Sequence, residues 1–497
     1  MTQDPYKVLE KRYHRIGAIK EAQAILHWDM AVMMPSGSAE GRAAQLAELD
    51  LVIHEILKDP EIEDLLTMAE SEPPISRAQR SNLAEMRRMQ IHANAIGADL
   101  VVALTEASSK CEMRWRQAKP ANDFKLVSKE LQNLLSLVQK KAEGKAESLR
   151  CRPYEALMDE YEPGLTIQEI DTLFDDLLAF LPKLLEKVLT KQQPAGLIVG
   201  PSGNFPIDRQ RDLALTLMTQ LGFNFEHGRL DMSLHPFCGG VPEDIRITTR
   251  YSEESFVESL MGVLHETGHA LYERNLPREW RLQPAGEARG MALHESQSLL
   301  VEMQLCRSTE FLEFISPLIK TTFDSRAEQL NTESLIAYYR KVEPGFIRVD
   351  ADEVTYPFHV VLRYNIEKSL ISGDLLVSDL PDAWNDAMRN LLDIVPPDDQ
   401  RGCLQDIHWF SGSFGYFPTY TMGAVAAAQI YAAIQREYPD IREGVRTGDF
   451  SKITEWCCQK IHRQGSLEST SNILINATGE PLNARAFQRH IEARYLT

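Results

Sequence analysis

Along most of the chain, apolar positions return every three or four residues, the spacing that aligns one face of an α-helix. On this pattern helices are expected at 4–27, 38–57, 77–117, 122–149, 167–191, 207–220, 252–275, 287–305, 308–331, 333–340, 356–370, 380–394, 420–436 and 450–463. Stretches rich in proline, glycine and asparagine at 72–76, 118–123, 193–204 and 395–402 mark breaks. One region departs from the helical period. Residues 223–237 and 244–251 alternate polar and apolar positions over short runs, with a Gly239-Gly240 turn and a proline between them. They predict a small antiparallel sheet leading straight into the helix at 252–275. The fold class expected is therefore mainly α, one large domain over 1–497 with a small sheet beside that helix.

The helix after the sheet is apolar around most of its circumference, through Phe256, Val257, Leu260, Met261, Val263, Leu264 and Leu271. It is expected to start at Ser252, with a capping-box-like Ser255–Glu258 pair, and to stop before Pro277. Inside this buried stretch stands His265-Glu266-Thr267-Gly268-His269. Positions i and i+4 share a face, so both imidazoles can hold one metal ion. Glu266 falls where its carboxylate reaches a metal-activated water rather than the metal itself. The plain alternative is a pair of core histidines, but buried imidazoles need partners, and a metal supplies one. Gly268 costs about 1 kcal/mol of helix propensity relative to Ala, which makes sense where something approaches that face closely.

A catalytic zinc needs a third protein ligand and an open position. The next helical run places Met291, Glu295, Ser298 and Glu302 on one stripe, and Glu295 follows His269 by 26 residues, enough for an antiparallel return. Spacing alone leaves Glu295 open against Glu302, Glu287 and His294. The flanks Ala292, Leu293, Leu299 and Leu300 argue that part of this helix is covered rather than a solvated surface.

Composition narrows the function classes. The 53 Lys and Arg against 72 Asp and Glu give a net charge of −19, which speaks against nucleic acid and anionic membranes as partners. No 18-residue apolar run and no apolar signal core near the first residues suggest a cytoplasmic location. The 7 cysteines lack a C-x-x-C pair and read as reduced, mostly buried thiols.

Beyond the pentapeptide, eight further patches occur in order. They are His27-Trp28-Asp29 with Met33-Met34-Pro35, and Pro153-Tyr154 with Asp159-Glu160-Tyr161-Glu162-Pro163-Gly164. Next come His235-Pro236-Phe237, Asp244-x-Arg246-x-Thr248 and His294-Glu295-Ser296. Ile347-Arg348-x-x-Ala351-Asp352, Gly402-x-x-Gln405-Asp406-x-His408-Trp409 and Gly415-Tyr416-Phe417-Pro418-Thr419-Tyr420 complete the set. With these motifs the chain resembles the thermostable (Taq-type) metallocarboxypeptidases over almost its whole length. The resemblance implies a saddle-shaped helical fold with a deep central groove, related to angiotensin-converting-enzyme-like and oligopeptidase-like proteins. It implies Glu295 as the third zinc ligand, and removal of single C-terminal residues with broad preference and poor action on proline. It also implies a homodimer. Residues 222–423 are then the catalytic core and 1–120 a helical segment covering the groove.

Roles follow for the remaining candidates. Zinc, with cobalt or manganese as substitutes, polarises the carbonyl and Glu266 acts as general base. His235, Tyr416 and Tyr420, with Tyr420 preferred, are donors to the oxyanion; a half-buried aromatic is the alternative for each tyrosine. Arg348 is the expected receptor for a substrate's free C-terminal carboxylate, helped by His408, Gln405 and Arg401; an internal ion pair with Asp350 or Asp352 is the competing reading. The strand carrying Asp244 and Arg246 offers an edge to an extended peptide, unless the two simply pair with each other. An oligopeptidase cutting internal bonds and a non-catalytic metal-binding helical protein are the rival functions.

Overall fold

The computed structural model describes residues 4–71, 76–193, 198–324 and 327–497. The helical repeats fold as their periodicity requires, from Pro5–Val32 to Ala484–Tyr495. Ile207–Gln220 has the expected bounds, and Ile167–Gln192 begins at a capping box between Thr166 and Glu169. The long run expected at 77–117 is two helices, Arg77–Asn94 and Ala98–Ala121, because the chain turns at Gly97, which caps the second. That corner packs closely on a third helix: a Cβ on Gly144 would stand 2.8 Å from the Ala95 carbonyl. The stretch 118–123 breaks the chain only at its end, where Asn122 turns left-handed beyond Pro120. Pro60–Ser71, Pro153–Met158, Ile441–Thr447, Thr470–Thr478 and Ala484–Tyr495 are additional helices. The run at 308–331 gives Thr309–Thr322 and a short 3₁₀ turn, Glu328–Leu330; residues 325–326 lie outside the described residues, as do 72–75 and 194–197 of two expected breaks.

The sheet differs from expectation. Its strands are β1 (Gly228–Met232), β2 (Phe237–Val241) and β3 (Asp244–Thr249), in the order β1-β3-β2. β1 runs parallel to β3, with Leu230 opposite Ile247, and β2 runs antiparallel to it, so the sheet is mixed rather than antiparallel. The reason is a crossover. After Met232 the chain passes through His235-Pro236 and enters on the far side of β3. Gly239 and Gly240 lie within β2, and the turn falls at Pro242-Glu243 instead. Both edges of β3 are paired, so this strand cannot accept a peptide by strand addition.

Leu230, Ile245 and Ile247 pack on Val263 and Ala270, fixing the sheet to the helix Val257–Arg274. That helix starts five residues later than expected. Ser252 and Ser255 are joined in a local bridge, and the Phe256 cap position has no side-chain cap. The N-terminal helix reaches the same sheet. The Trp28 ring stacks under the Arg246 guanidinium at 4.1 Å, giving the His27-Trp28-Asp29 patch a structural role.

Candidate active site

His265 and His269 project from one face of Val257–Arg274, and Glu295 comes from the facing helix Met291–Leu299. Both imidazole Nε2 atoms point at the same carboxylate oxygen, 3.7 Å from His265 and 3.3 Å from His269. Ligands about 2.0–2.1 Å from a tetrahedral zinc stand about 3.3 Å apart, so this donor set fits a small divalent ion without rearrangement. Burial pushes the Glu295 carboxyl up, yet the two imidazoles and the Ser298 hydroxyl hold it below the ordinary carboxylate range. His265 is opposed by burial, but Glu295, Glu302 and Glu266 together hold it up to about 10. A field that favours a proton there favours a cation. Burial and His294 push His269 down to about 4, so it is neutral, as a ligand must be.

Two of the three other contenders for the third ligand stand one layer out. Glu302 accepts from His265 Nδ1 at 2.9 Å and is itself held by Arg307 at 2.6 Å. His294 Nδ1 lies 2.6 Å from His269 Nδ1, and its Nε2 lies 2.7 Å from Glu273. Each candidate ligand imidazole is thus oriented through its far nitrogen, one by a carboxylate and one by a histidine–glutamate pair. Glu287 is exposed and pairs with Lys20, which removes it from the ligand set. Glu273→Ala should weaken metal binding about 10- to 100-fold, read by competition with a chromogenic chelator. Unchanged affinity would leave the pair without an orienting role.

Helix packing sets this convergence. A Cβ on Gly268 would meet the Gln297 carbonyl at 2.4 Å, so the close approach expected at this glycine is made by the second helix's backbone. The helix Pro418–Glu437 closes from the other side, where a Cβ on Gly423 would stand 2.8 Å from the Glu295 side chain. Gly268→Ala should lower stability by about 1–3 kcal/mol despite alanine's better helix propensity, visible as a lower thermal midpoint of the metal-free protein. The helix carrying Glu295 also has an unusual start. Glu162, buried, accepts from the Ala292 N–H at 2.9 Å and from Thr470, so a carboxylate 130 residues earlier caps it. Past Leu299 the helix widens into a π-type stretch, Leu300–Cys306, which contains Glu302.

Glu266 sits beside the ligands, 8 % exposed, and burial raises its carboxyl to about 7. Tyr420 and Tyr416 meet edge to face with ring centroids 5.0 Å apart. Burial holds both phenols protonated and available as donors, with the Glu295 charge adding to the effect. Tyr420 lies one turn before Gly423, the glycine whose Cβ position meets the Glu295 side chain. His408 Nε2 is 3.4 Å from the Tyr420 hydroxyl, and burial pushes His408 down to about 4.

Arg348 is buried under the Tyr420 ring at 4.9 Å. Its ion partner is Asp406, at 2.9 Å, rather than Asp350 or Asp352, and it also donates to the Tyr356 hydroxyl at 2.9 Å. Asp352 is occupied elsewhere, accepting from Val354 and Thr355. Among the described residues these contacts use one N–H of each terminal nitrogen of Arg348, leaving the second N–H of each for a carboxylate. Gln405 orders this cluster: its carbonyl accepts from the Arg348 backbone and from Arg363, and its amide donates to Phe346. Arg401 is exposed and bound to Asp398, outside the cluster. His235 is exposed, and Pro236 beside it packs on Gly262, one turn before His265. Asp244 and Arg246 pair with each other at 2.7 Å under Trp28, the structural alternative.

Sequence reasoning missed Asp406, Arg363, Tyr356 and Glu367. Glu367 is fully buried and accepts from Tyr154, Trp409 and the Gly415 N–H at 2.6, 2.7 and 3.0 Å, fastening the two loops that present His408 and Tyr416. Apolar helical neighbours of Glu367, Tyr364 at i−3 and Leu370 and Ile371 at i+3 and i+4, were the available signal, since a carboxylate on a covered face needs donors.

A model of the carboxypeptidase Taq (M32) metallopeptidase family matches residues 8–495. Thermostable carboxypeptidase 1 of Thermus thermophilus is 36% identical over 486 residues, 95% of this chain and 94% of that protein. Thermostable carboxypeptidase 1 of Pyrococcus furiosus is 35% identical over 495 residues, 99% of this chain and 98% of its own. The solved structure of Trypanosoma cruzi metallocarboxypeptidase 1 superposes with a TM-score of 0.97 at 39% identity, covering 99% of both chains.

Proposed function

The chain belongs to the carboxypeptidase Taq (M32) metallopeptidase family, and from that premise we propose how its own residues release the last residue of a peptide. It is a metallocarboxypeptidase acting on peptides. The observation that carries the residue assignment is the aim of two imidazole nitrogens at one Glu295 oxygen, with Glu266 beside them. His265, His269 and Glu295 hold the metal, which we take to be zinc, with cobalt or manganese as substitutes. When bound, the ion supplies Lewis-acid polarisation of the scissile carbonyl and acidifies water toward a pKa of about 7.

Glu266 accepts the proton of the attacking water and returns it to the leaving amine. Tyr420 is the first donor to the developing oxyanion, with Tyr416 beside it and His235 from the turn before β2. Arg348 receives the substrate's terminal carboxylate on its two open N–H groups, beside a neutral His408. Gln405 and Asp406 hold that arginine in place. Asp244 and Arg246 act on the substrate only through the sheet they brace.

Residues 222–423 form the catalytic core and 1–120 cover the groove in this reading, which extends to broad preference, poor action on proline, a homodimer and a cytoplasmic location. Among the described residues no helix is long and apolar enough to cross a membrane. The direct test uses matched peptides with a free or an amidated C-terminus. Amidation should reduce kcat/KM at least ~100-fold, since a buried arginine loses a charged partner worth about 3 kcal/mol or more. Equal cleavage of both peptides, with internal fragments, would identify an oligopeptidase instead.

A further inference from the structure

Away from the metal site, a cavity of about 400 Å³ lies where the start of Thr309–Thr322 meets Pro418–Glu437 and Ala484–Tyr495. The peptidase chemistry does not use it. Its wall carries Arg340, Arg442, Arg489, Arg494 and His490, against one glutamate, Glu310. In a chain of net charge −19, such a concentration of guanidinium groups stands out.

Three of these side chains have carboxylate partners, His490 Nε2 lying 2.7 Å from Glu353. Arg494 donates to Glu353 at 3.0 Å, and Arg442 lies 3.8 Å from Glu310. Arg340 and Arg489 have no carboxylate partner among the described residues. Arg340 gives one N–H to the Thr309 hydroxyl at 2.7 Å, while its Nε is buried without an acceptor. A buried donor left unpaired in a native fold calls for an occupant. Burial and the nearby Arg494 charge both work against the Arg340 cation, and an anion in the cavity would relieve both. Thr497 borders the same space; even with a carboxylate there and Glu353 counted, four guanidiniums face three carboxylates. The first turn of the 14-residue helix Thr309–Thr322 borders the cavity as well; the Ser308 hydroxyl caps the Phe311 N–H and Glu310 lies in that turn, so its share is the positive end of the dipole and the N–H groups of Thr309 and Glu310 ahead of the capped one.

We propose that this cavity binds a small dianion of the phosphate class, held by Arg340, Arg489 and the N-terminus of Thr309–Thr322. Guanidinium forks match phosphate oxygens in pairs, and the helix end supplies backbone donors between them. The ligand is free phosphate or the phosphoryl group of a small metabolite.

Isothermal titration of the full-length, metal-loaded protein with inorganic phosphate and with glycerol 3-phosphate tests this, ionic strength being held constant with chloride. One saturable site is expected for at least one of the two probes. The tighter probe tells a free ion from a phosphomonoester. The double variant Arg340→Met, Arg489→Ala should bind at least 100-fold more weakly, and Arg489→Ala alone about tenfold. Arg489 is exposed, so that single variant serves as the control for folding, with its chloride-only unfolding midpoint unchanged. Absence of saturable binding to wild-type protein overturns the proposal. Equal affinity in the variants does so too, since it would place the anion elsewhere, the metal centre included.

Discussion

Replacing Glu266 with Gln should lower kcat by about 10³- to 10⁴-fold while metal content stays at one ion per chain, because general base catalysis is worth factors of that order. The substitution preserves shape in a site where the side chain is 8 % exposed, so packing around His265 and His269 is maintained. What disappears is a carboxylate beside the two histidines that, among the described residues, no imidazole and no arginine engages by a hydrogen bond or ion pair. Glu295 faces both imidazoles, and Glu302 is bound by His265 and Arg307. Metal analysis by mass spectrometry alongside single-turnover kinetics separates the two effects. Turnover near wild type in a metal-replete variant would remove Glu266 from the proton path.

Glu295→Ala should abolish turnover by a different route, loss of the ion. With one of three ligands gone, affinity should fall at least ~10³-fold, since a ligand carboxylate contributes several kcal/mol of charge and coordination. The change also opens a space beside Gly423, whose backbone was placed against the Glu295 side chain. Chelation of the wild-type protein should reproduce the loss, and added zinc should restore activity to wild type but not to the variant at equal concentration. A variant that retains stoichiometric metal and full activity would transfer the third ligand to another residue.

How far the site was legible depends on the distance in sequence between its parts. His265, Glu266 and His269 follow from the helical period alone, because i and i+4 share a face in any helix. Glu295, Glu302, Glu287 and His294 were all singled out without a ranking; three of them gather beside the two histidines, while Glu287 turns outward to Lys20. Their order depends on how two helices cross, and that crossing is set by Gly268 against the Gln297 backbone. Arg348 was picked out for its apolar surroundings, while its partner Asp406 lies 58 residues on and was reached only through folding. Arg401, close to Asp406 in sequence, was drawn outward to Asp398.

The same division runs through the fold. Helical class, most helix positions and the metal pentapeptide are local properties, decided by side-chain period and backbone hydrogen bonding within a few residues. The mixed order β1-β3-β2, the Glu162 cap on the helix of Glu295 and the Glu367 anchor of two loops join residues far apart in the chain. No short-range pattern encodes such contacts, because their energy is realised only when distant surfaces exclude water together and bury polar groups that must then find each other.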